Sequence, residues 1–356
     1  MDLAKNKTTL LVSGAVLGLI AVVLAASGNP GNMAFCIACF IRDSAGAVKL
    51  HTAAVVQYFR PEIAGMLLGA FIVAVATREY RSTAGSSPMT RFILGFVMMI
   101  GALVFLGCPL RMLIRMAAGD LNAYVGLVGF VAGIATGIVA LKRGFSLGRS
   151  HETSPAAGAV LPIAWTFLFV LSLAVPTLFV VSESGPGSMH APMILSLAAG
   201  LLFGVIAQRI RMCTIGGIRD AIMVKNFDLF AILAGFFVIM LIGNIALGKF
   251  SVGFTGQPIA HAQHLWNFLG LYAVGFAGVL AGGCPLRQII LAGQGSSDAA
   301  VTFLGLLVGA AFAHNFGLAS SAASAEAAGG PSMTGKAALI ICIVVTFIIG
   351  FMPKKK

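Results

Sequence analysis

Long apolar runs, separated by short polar segments, recur along the whole chain. Four of them lie in the first half: TLLVSGAVLGLIAVVLAAS (9–27), IAGMLLGAFIVAVAT (63–77), FILGFVMMIGALVFLG (92–107) and AYVGLVGFVAGIATGIVAL (123–141). A helix needs about 20 mostly apolar residues to cross the hydrocarbon core of a bilayer. The pattern predicts four membrane-spanning helices in each half, at roughly 8–27, 60–78, 91–107, 121–141, 190–208, 228–248, 266–283 and 299–318.

Two further apolar runs have no counterpart in the other half. LPIAWTFLFVLSLAVPTLFVV (161–181) lies between the two sets, and AALIICIVVTFIIGF (337–351) closes the chain. These bring the expected total to about ten spans. The first run of the chain follows Lys5 and Lys7, as in a signal peptide, but it is long and no small-x-small cleavage site clearly ends it. We therefore expect a retained helix.

The composition agrees with a membrane protein. The chain is 59% apolar and 10% charged, with a mean hydropathy of +1.00, whereas soluble domains are about 45–50% apolar and about 25% charged. The net charge of +12 does not indicate a nucleic-acid partner, because in a membrane chain the placement of charge matters more than its total. The expected fold class is an all-α integral membrane protein surrounded by membrane lipid.

Two motifs occur twice at nearly the same spacing. FCIACFIRDSA (35–45) aligns with MCTIGGIRDAI (212–222), and GCPLRMLIRMAAGD (107–120) aligns with GCPLRQIILAGQGSSD (283–298). The spacing is 177 residues from Cys36 to Cys213 and 176 residues from Cys108 to Cys284. Two motifs that keep one spacing predict an internal duplication.

The number of spans predicts how the two copies are related. Four spans and one extra helix precede the second copy, so it should enter the membrane from the opposite side, which is an inverted-topology repeat. The expected units are a first repeat (1–150) with re-entrant segments at Cys36 and Cys108, a connecting helix (151–184), a second repeat (185–330) with re-entrant segments at Cys213 and Cys284, and a C-terminal helix with a basic tail (331–356).

The Lys and Arg residues predict which loops face the cytoplasm. The basic loops are 78–91, 142–160, 209–227 and the tail Lys354–Lys356, whereas SESGPGSMHAP (182–192) has no Lys or Arg and 249–265 has only Lys249. This pattern places both termini inside. Arg42 and Arg111 lie in loops that break it, so we expect them to have another role.

The GCPLR motif predicts a helix start. Proline is favoured at the first helical position, so Cys108 and Cys284 should be the N-cap residues of half-helices that begin with Pro109 and Pro285. Segments this short cannot cross the bilayer, and we expect them to enter it and return, either inside the protein or beside a water-filled cavity. A helix N-terminus carries about half a positive charge and binds anions. Because Arg111 and Arg287 fall in the first turn, against the helix dipole, they suit an anion path.

The other repeated cysteines each precede an Arg–Asp pair by six residues. Charges near the membrane are usually functional, and four thiols from two halves should converge where such repeats place their substrate. Weak, polarizable thiols flanked by arginines suit a small, sulfur-bearing anion. The expected substrate path is Cys36, Cys108, Cys213 and Cys284, supported by Arg42, Arg111, Arg219, Arg287, Pro109 and Pro285.

Simpler roles stay open for some of these residues. Cys342 has no repeat partner and is expected to be apolar filler, and Cys39, opposite Gly216, fits filler or function equally. Arg42 and Arg219 either serve the anion or pair with the adjacent aspartates. Since Cys36 and Cys39 form a single C-x-x-C, no zinc site is indicated. We expect no metal, no cofactor and no catalytic residue.

The paired GCPLR segments, with the Cys-to-Ile-Arg-Asp element in each half, resemble the YeeE/YedE family of sulfur-transport membrane proteins over nearly the whole chain. The GCPLRMLIRMAAGD version further resembles the YedE-like branch associated with selenium metabolism. The resemblance implies a bacterial inner-membrane protein, shaped like an hourglass, that takes up thiosulfate. It implies that Cys108 and Cys284 lie at the centre, and that a TusA-like cytoplasmic sulfur carrier is a partner.

The leading interpretation is a transporter, not an enzyme, that imports a small sulfur- or selenium-containing anion past these thiols. The alternative is a membrane thiol–disulfide oxidoreductase that uses Cys36 and Cys39. The missing counterpart of Cys39 in the second half argues against it. A metal-ion transporter would need acidic or histidine partners beside the cysteines, and only the aspartates of the two Arg–Asp pairs are present.

Overall fold

The computed structural model describes residues 6–325 and 327–352, and its secondary structure is almost entirely helical. The α-helices of the described chain are α1 (Lys7–Ala26), α2 (Ile37–Ala47), α3 (Pro61–Ala76), α4 (Pro88–Phe105), α5 (Pro109–Met116), α6 (Leu121–Lys142), α7 (Pro155–Ala174), α8 (Met193–Arg209), α9 (Thr214–Val224), α10 (Asp228–Ala246), α11 (His264–Ala281), α12 (Pro285–Gly293), α13 (Ser297–Asn315) and α14 (Met333–Phe351). Two short strands, β1 (Thr83–Ala84) and β2 (His151–Glu152), pair antiparallel. Lys5 and the predicted basic tail, Lys354–Lys356, lie outside the described residues.

The helices confirm the expected class of an all-α membrane protein. Within the described chain, nine helical segments are long and apolar enough to cross a membrane. Three of them combine a long helix with the short helix that follows: Pro88–Met116, Met193–Val224 and His264–Gly293. The remaining predicted span corresponds to α3, an apolar helix of 16 residues.

The connecting helix lies earlier in the chain than predicted. It spans Pro155–Ala174 rather than 161–181. Pro155 occupies the first turn, where proline is favoured, and Val175 leaves the helix because a residue before a proline is disfavoured in the helical region. A 3₁₀ turn, Pro176–Leu178, follows. The apolar residues beyond Pro176 therefore belong to the turn and the segment after it, not to the helix.

Four helices are too short to cross a bilayer: α2, α5, α9 and α12 have 8 to 11 residues. At 1.5 Å per residue they reach about 12 to 17 Å, compared with about 30 Å for the hydrocarbon core. Each begins directly after a cysteine. The predicted N-cap positions of Cys108 and Cys284, with Pro109 and Pro285 opening the helices, are confirmed.

The helices before and after α7 follow the same order. In α1–α6 and again in α8–α13, the helices are in turn long, short, long, long, short and long. The most extensive packing joins the two sets, in the pairs α1–α10, α3–α8, α4–α13 and α6–α11. In this order α1 corresponds to α8, α3 to α10, α4 to α11 and α6 to α13. When each helix is replaced by its counterpart, the α1–α10 pair becomes α8–α3 and the α4–α13 pair becomes α11–α6. The two halves therefore interlock, and the core lies between them.

Candidate thiol and anion site

All four repeated cysteines are N-cap residues of the short helices. The side chains of Cys36 and Cys213 cap their own helices, because their sulfurs accept hydrogen bonds from the backbone N–H of Cys39 (3.4 Å) and Gly216 (3.2 Å). The thiols of Cys108 and Cys284 make no such capping bond. Each half thus has one thiol that caps its helix and one that contacts the capping thiol instead.

The first thiol cluster consists of Cys36, Cys39 and Cys108, between α2 and α5. The Cys36 sulfur lies 2.9 Å from that of Cys39 and 3.9 Å from that of Cys108. All three residues are fully buried. Cys36 is therefore the middle member of a continuous run of three sulfur atoms.

Arg111 lies beside the first cluster and contacts Cys39. Its Nη1 donates to the Cys39 sulfur at 3.2 Å, its Nε donates to the Asn32 carbonyl at 2.8 Å, and its Nη2 donates to the Ile259 carbonyl at 3.1 Å. The side chain is completely buried. Every nitrogen of this guanidinium therefore has a partner within the protein.

The second thiol cluster consists of Cys213 and Cys284, between α9 and α12. Their sulfurs lie 3.9 Å apart, which equals the distance from Cys36 to Cys108. The Thr214 side chain hydrogen-bonds to the Cys284 thiol, and its buried hydroxyl has no other partner in the described chain. The cluster therefore contains a hydroxyl donor beside its two thiols.

Arg287 beside this cluster is unpaired. In contrast to Arg111, its guanidinium makes no hydrogen bond or ion pair within the described residues, and its Nη1 is buried. Its electrostatic neighbours are Cys213, Cys284 and a second cation, Arg211. Arg287 is partly buried, and a partly buried cation without a protein partner is unfavourable, so this position favours a negatively charged ligand.

The two Arg–Asp pairs resemble each other in sequence but differ in burial. Asp43 accepts from Arg42 (2.6 Å) and from Arg60 (2.8 Å), and all three side chains are almost completely buried. Arg219 and Asp220 are 2.8 Å apart and about one-third exposed. Of the two roles left open for Arg42 and Arg219, both make the ion pair with the adjacent aspartate.

Other residues of this region were not predicted from the sequence. Thr214, Asn32 and Ile259 contact the predicted residues, but none has a distinctive motif. A hydroxyl beside a repeated cysteine is a usable signal for Thr214, whereas the carbonyls of Asn32 and Ile259 come from loops far from Arg111 in the chain. Cys342 lies buried on α14 without a thiol partner. In the described chain, no group of three His, Cys, Asp or Glu residues could hold a metal ion.

Comparison with known proteins finds a similarity to sulphur transport proteins in the second part of the chain. A family profile described as sulphur transport matches residues 209–354, a segment that contains both Cys213 and Cys284. The matched segment is about two-fifths of the chain, and it is similar to sulphur transport proteins. The resemblance inferred from the repeated motifs is thereby confirmed, while the selenium-associated branch stays a prediction.

Two relatives that match part of this chain are named thiosulfate transporters. The thiosulfate transporter TsuA of Escherichia coli (strain K12) is 36% identical over 104 residues, which are 29% of this chain and 29% of the relative. TsuA of Spirochaeta thermophila is 30% identical over 112 residues, which are 31% of this chain and 33% of the relative. The matched segments thus span about one-third of each relative's length. The family and both relatives are named for transport and not for catalysis, in agreement with the sequence analysis.

Proposed function

We propose that the chain is a membrane transporter that imports a small sulfur-containing oxyanion, with thiosulfate as the first candidate, past the thiols of Cys36, Cys108, Cys213 and Cys284. The observation that carries this proposal is the unpaired Arg287 beside two thiols and the Thr214 hydroxyl, whose one partner in the described chain is the Cys284 thiol. A site with an unpaired cation, a hydroxyl donor and two polarizable sulfurs is complementary to an anion that carries both oxygen and sulfur.

Different groups of the second cluster would bind the two ends of such an anion. Arg287 and the Thr214 hydroxyl would donate to the oxygens of the sulfonate-like end, since charge-assisted hydrogen bonds are the stronger kind. The thiols of Cys213 and Cys284 would contact the terminal sulfur as weak donors. Because these contacts are weak, the anion is held without being trapped, as conduction requires.

On the import path the first cluster would precede the second, because Ile259, whose carbonyl binds Arg111, lies in the predicted outer loop 249–265. Cys108 has a thiol free of capping, 3.9 Å from Cys36, and Arg111 stands at the same motif position as Arg287. The Arg42–Asp43–Arg60 network would hold α2 in place rather than touch the anion, since these groups already satisfy one another.

The proposal includes the arrangement of the halves. The repeated motifs, the equal order of helices and the exchangeable packing pairs support two inverted repeats whose short helices enter the membrane and return. The loop charges support both termini in the cytoplasm, and the resemblance to sulfur-transport proteins implies the inner membrane. A TusA-like sulfur carrier on the cytoplasmic side would then receive the imported sulfur.

Uptake of radiolabelled thiosulfate into proteoliposomes tests the proposal. We expect Arg287→Gln to lower the rate at low substrate by about ten-fold or more, because a hydrogen bond to a charged group contributes about 1.5–3 kcal/mol. Thr214→Val should also impair uptake, whereas Thr214→Ser keeps the hydroxyl and serves as its matched control. Uptake of selenite in the same assay tests the predicted resemblance to the branch associated with selenium metabolism.

Thermal unfolding separates a transport defect from misfolding. Arg287→Gln removes an unpaired, partly buried charge and should leave the unfolding temperature unchanged or raised. Arg111→Gln should lower it, since the carbonyls of Asn32 and Ile259 lose their donor. Normal uptake in both Arg287→Gln and Cys284→Ala would refute the proposed site.

A second candidate function follows from the 2.9 Å separation of the Cys36 and Cys39 sulfurs. A thiol–disulfide oxidoreductase would oxidise this pair to a disulfide, with two electrons passing to a quinone or to a partner disulfide. Both residues are fully buried, so a partner disulfide would need an opening. Mass spectrometry after oxidation tests it: a Cys36–Cys39 disulfide that forms and is reduced in each cycle would support the enzyme, and its absence would exclude it.

A further inference from the structure

The loop between α10 and α11 is anchored to the protein at two places. On one side, the backbone N–H of Gly253 donates to the Gly119 carbonyl at 3.2 Å, and its carbonyl accepts from the backbone N–H of Leu121 at 3.1 Å. On the other side, the His261 ring is 2.8 Å from the Val104 carbonyl. Burial lowers the pKa of His261 to about 4, so the ring is neutral at neutral pH and its single N–H donates to that carbonyl.

Between these anchors, Thr255, Gly256 and Pro258 are exposed, and the buried residues Gln257 and Ala260 hold the segment against the rest of the chain. Gln257 accepts from the Asn32 amide at 3.4 Å, the Ala260 carbonyl accepts from the Ala323 N–H at 2.8 Å, and the Ile259 carbonyl accepts from Arg111. Gly256 has a φ of +71° and no neighbouring atom where a Cβ would lie. The segment is thus tied to the protein mainly by a few polar contacts.

Ile259 has a strained backbone. Its φ is +50°, a left-handed conformation that is unusual for a β-branched residue. Such strain persists where the surroundings enforce it, and it is common in switch regions. Here the strained residue is the one whose carbonyl binds Arg111. The closed position of the segment is therefore held against a local strain.

On these grounds, and resting on the proposed transport function, we propose that residues 255–260 are a gate over the first thiol cluster. In the closed state, the Ile259 carbonyl occupies the place on Arg111 that the transported anion takes when the gate opens. A cavity of about 330 Å³ between the gate and the loop around Ala323 provides room for this movement. Opening would expose Arg111 and, behind it, Cys39.

In the second half, the corresponding arginine is not covered by a loop of the described chain. Arg287 stands at the same motif position as Arg111, yet no loop carbonyl binds its guanidinium among the described residues. The protein therefore has one arginine that is ready for an anion and one that is covered. This is the asymmetry expected of a transporter that is accessible from one side at a time.

The accessibility of Cys39 tests the gate without any transport measurement. The reporter is a variant in which Cys39 is the only cysteine and the other five are alanine. Its rate of reaction with a charged methanethiosulfonate reagent is measured in detergent micelles, with thermal unfolding as the check on folding. Two substitutions are compared in this background, Ile259→Gly and Ile259→Ala.

Both substitutions remove the side chain beyond Cβ, but only glycine relieves the strain at positive φ. The glycine variant should keep the gate closed for longer, so we expect Cys39 to react about five-fold more slowly than in the alanine variant. Equal rates, a faster glycine variant, or no reaction of Cys39 in either would overturn the gate.

Two further measurements separate the gate from the transport function. Thiosulfate should accelerate the reaction of Cys39, because it competes with the Ile259 carbonyl for Arg111. If thiosulfate does not accelerate the reaction, the anion does not compete with the Ile259 carbonyl for Arg111, and the difference in Cys39 labelling between the two variants remains as evidence for the gate.

Thiosulfate uptake is the second measurement. In the natural cysteine background, Ile259→Gly should reduce thiosulfate uptake about five-fold relative to Ile259→Ala. Uptake that depends on Arg287 but is equal in these two variants would overturn the gate and leave the proposed function standing.

Discussion

Two arginines at the same position of the GCPLR motif have opposite surroundings. Arg111 donates to two loop carbonyls and a sulfur, whereas Arg287 has a buried nitrogen with no partner. The motif determines where each arginine lies on its short helix. Distant loops determine what it binds, and these loops differ between the halves. One duplicated motif therefore yields one occupied and one available cation.

Asp43 and Asp220 provide a residue-scale test of how burial sets the strength of an ion pair. Asp43→Asn leaves two buried arginines without their carboxylate, and we expect a loss of about 3–5 kcal/mol of unfolding free energy. Asp220→Asn breaks a pair that is about one-third exposed, and the expected loss is about 0–1 kcal/mol. Chemical unfolding in mixed micelles measures both.

The two variants act as controls for each other, since each replaces the aspartate of an Ile-Arg-Asp element. Equal losses would show that the network with Arg60 adds no stability to the first half. A loss in Asp220→Asn that exceeded the loss in Asp43→Asn would contradict the burial argument outright.

The sequence predicts the thiols of the site better than it predicts their partners. Cys108 and Cys284 are recognisable because proline follows each of them and the motif occurs twice. The partners of Arg111 are backbone carbonyls, and any residue type supplies a carbonyl, so no sequence signal points to Ile259. The separation of 148 residues between them is bridged only by the tertiary fold.

At the scale of the element, the long helices cross at very short distances. At Gly235 of α10, an added Cβ would lie 2.1 Å from the Leu11 carbonyl of α1, and Gly14 of α1 has the same relation to Ile232. Small residues allow such approaches between membrane helices, where van der Waals packing drives association. The α1–α10 contact therefore depends on the absence of side chains at these two positions.

Gly235→Val should separate α1 from α10. We expect a loss of about 1–3 kcal/mol or more, the usual cost of forcing extra atoms into a packed contact. Val238→Leu on the exposed face of the same helix adds bulk without a clash and should be close to neutral. Unfolding midpoints in detergent measure both. Equal stability of the two variants would contradict the close crossing.

Helix positions are well predicted wherever polar residues flank an apolar run. The predicted 121–141 and the observed Leu121–Lys142 agree closely, because Asp120 caps the start and basic residues follow the end. The prediction for α7 is wrong because the apolar residues continue past Pro176, whereas the α-helix ends before this proline. Apolar composition indicates what is buried in lipid, but proline and capping residues determine where a helix begins and ends.

At the scale of the whole molecule, the packing pairs are unchanged when the two sets of helices are exchanged. This is the pattern that two inverted repeats produce, and it supports that part of the proposal. The helices outside the sets break the symmetry, because α7 packs on α3 and α12 whereas α14 packs on α4 and α11. The difference between the Arg111 and Arg287 centres is thus one of several asymmetries in the fold.

The proposed topology predicts which loops a membrane-impermeant thiol reagent reaches in intact cells. Glu183→Cys lies in the predicted outer segment and should react at once. Glu152→Cys lies in a predicted inner loop and should react only after permeabilisation. Both positions are exposed, and the six natural cysteines are buried, so background labelling is low. Labelling of both positions from outside would refute the assigned orientation.

The interlocked packing has a consequence for how the protein is made. Helix α1 leaves the ribosome first, yet its main partner, α10, begins only at Asp228, roughly 200 residues after α1 ends. At about 5–20 residues per second, α1 waits on the order of ten to forty seconds in the bilayer before that partner is synthesised. During this interval its glycine-lined face is turned to lipid or to the insertion machinery. Neither half can complete its core until the ribosome has translated the other.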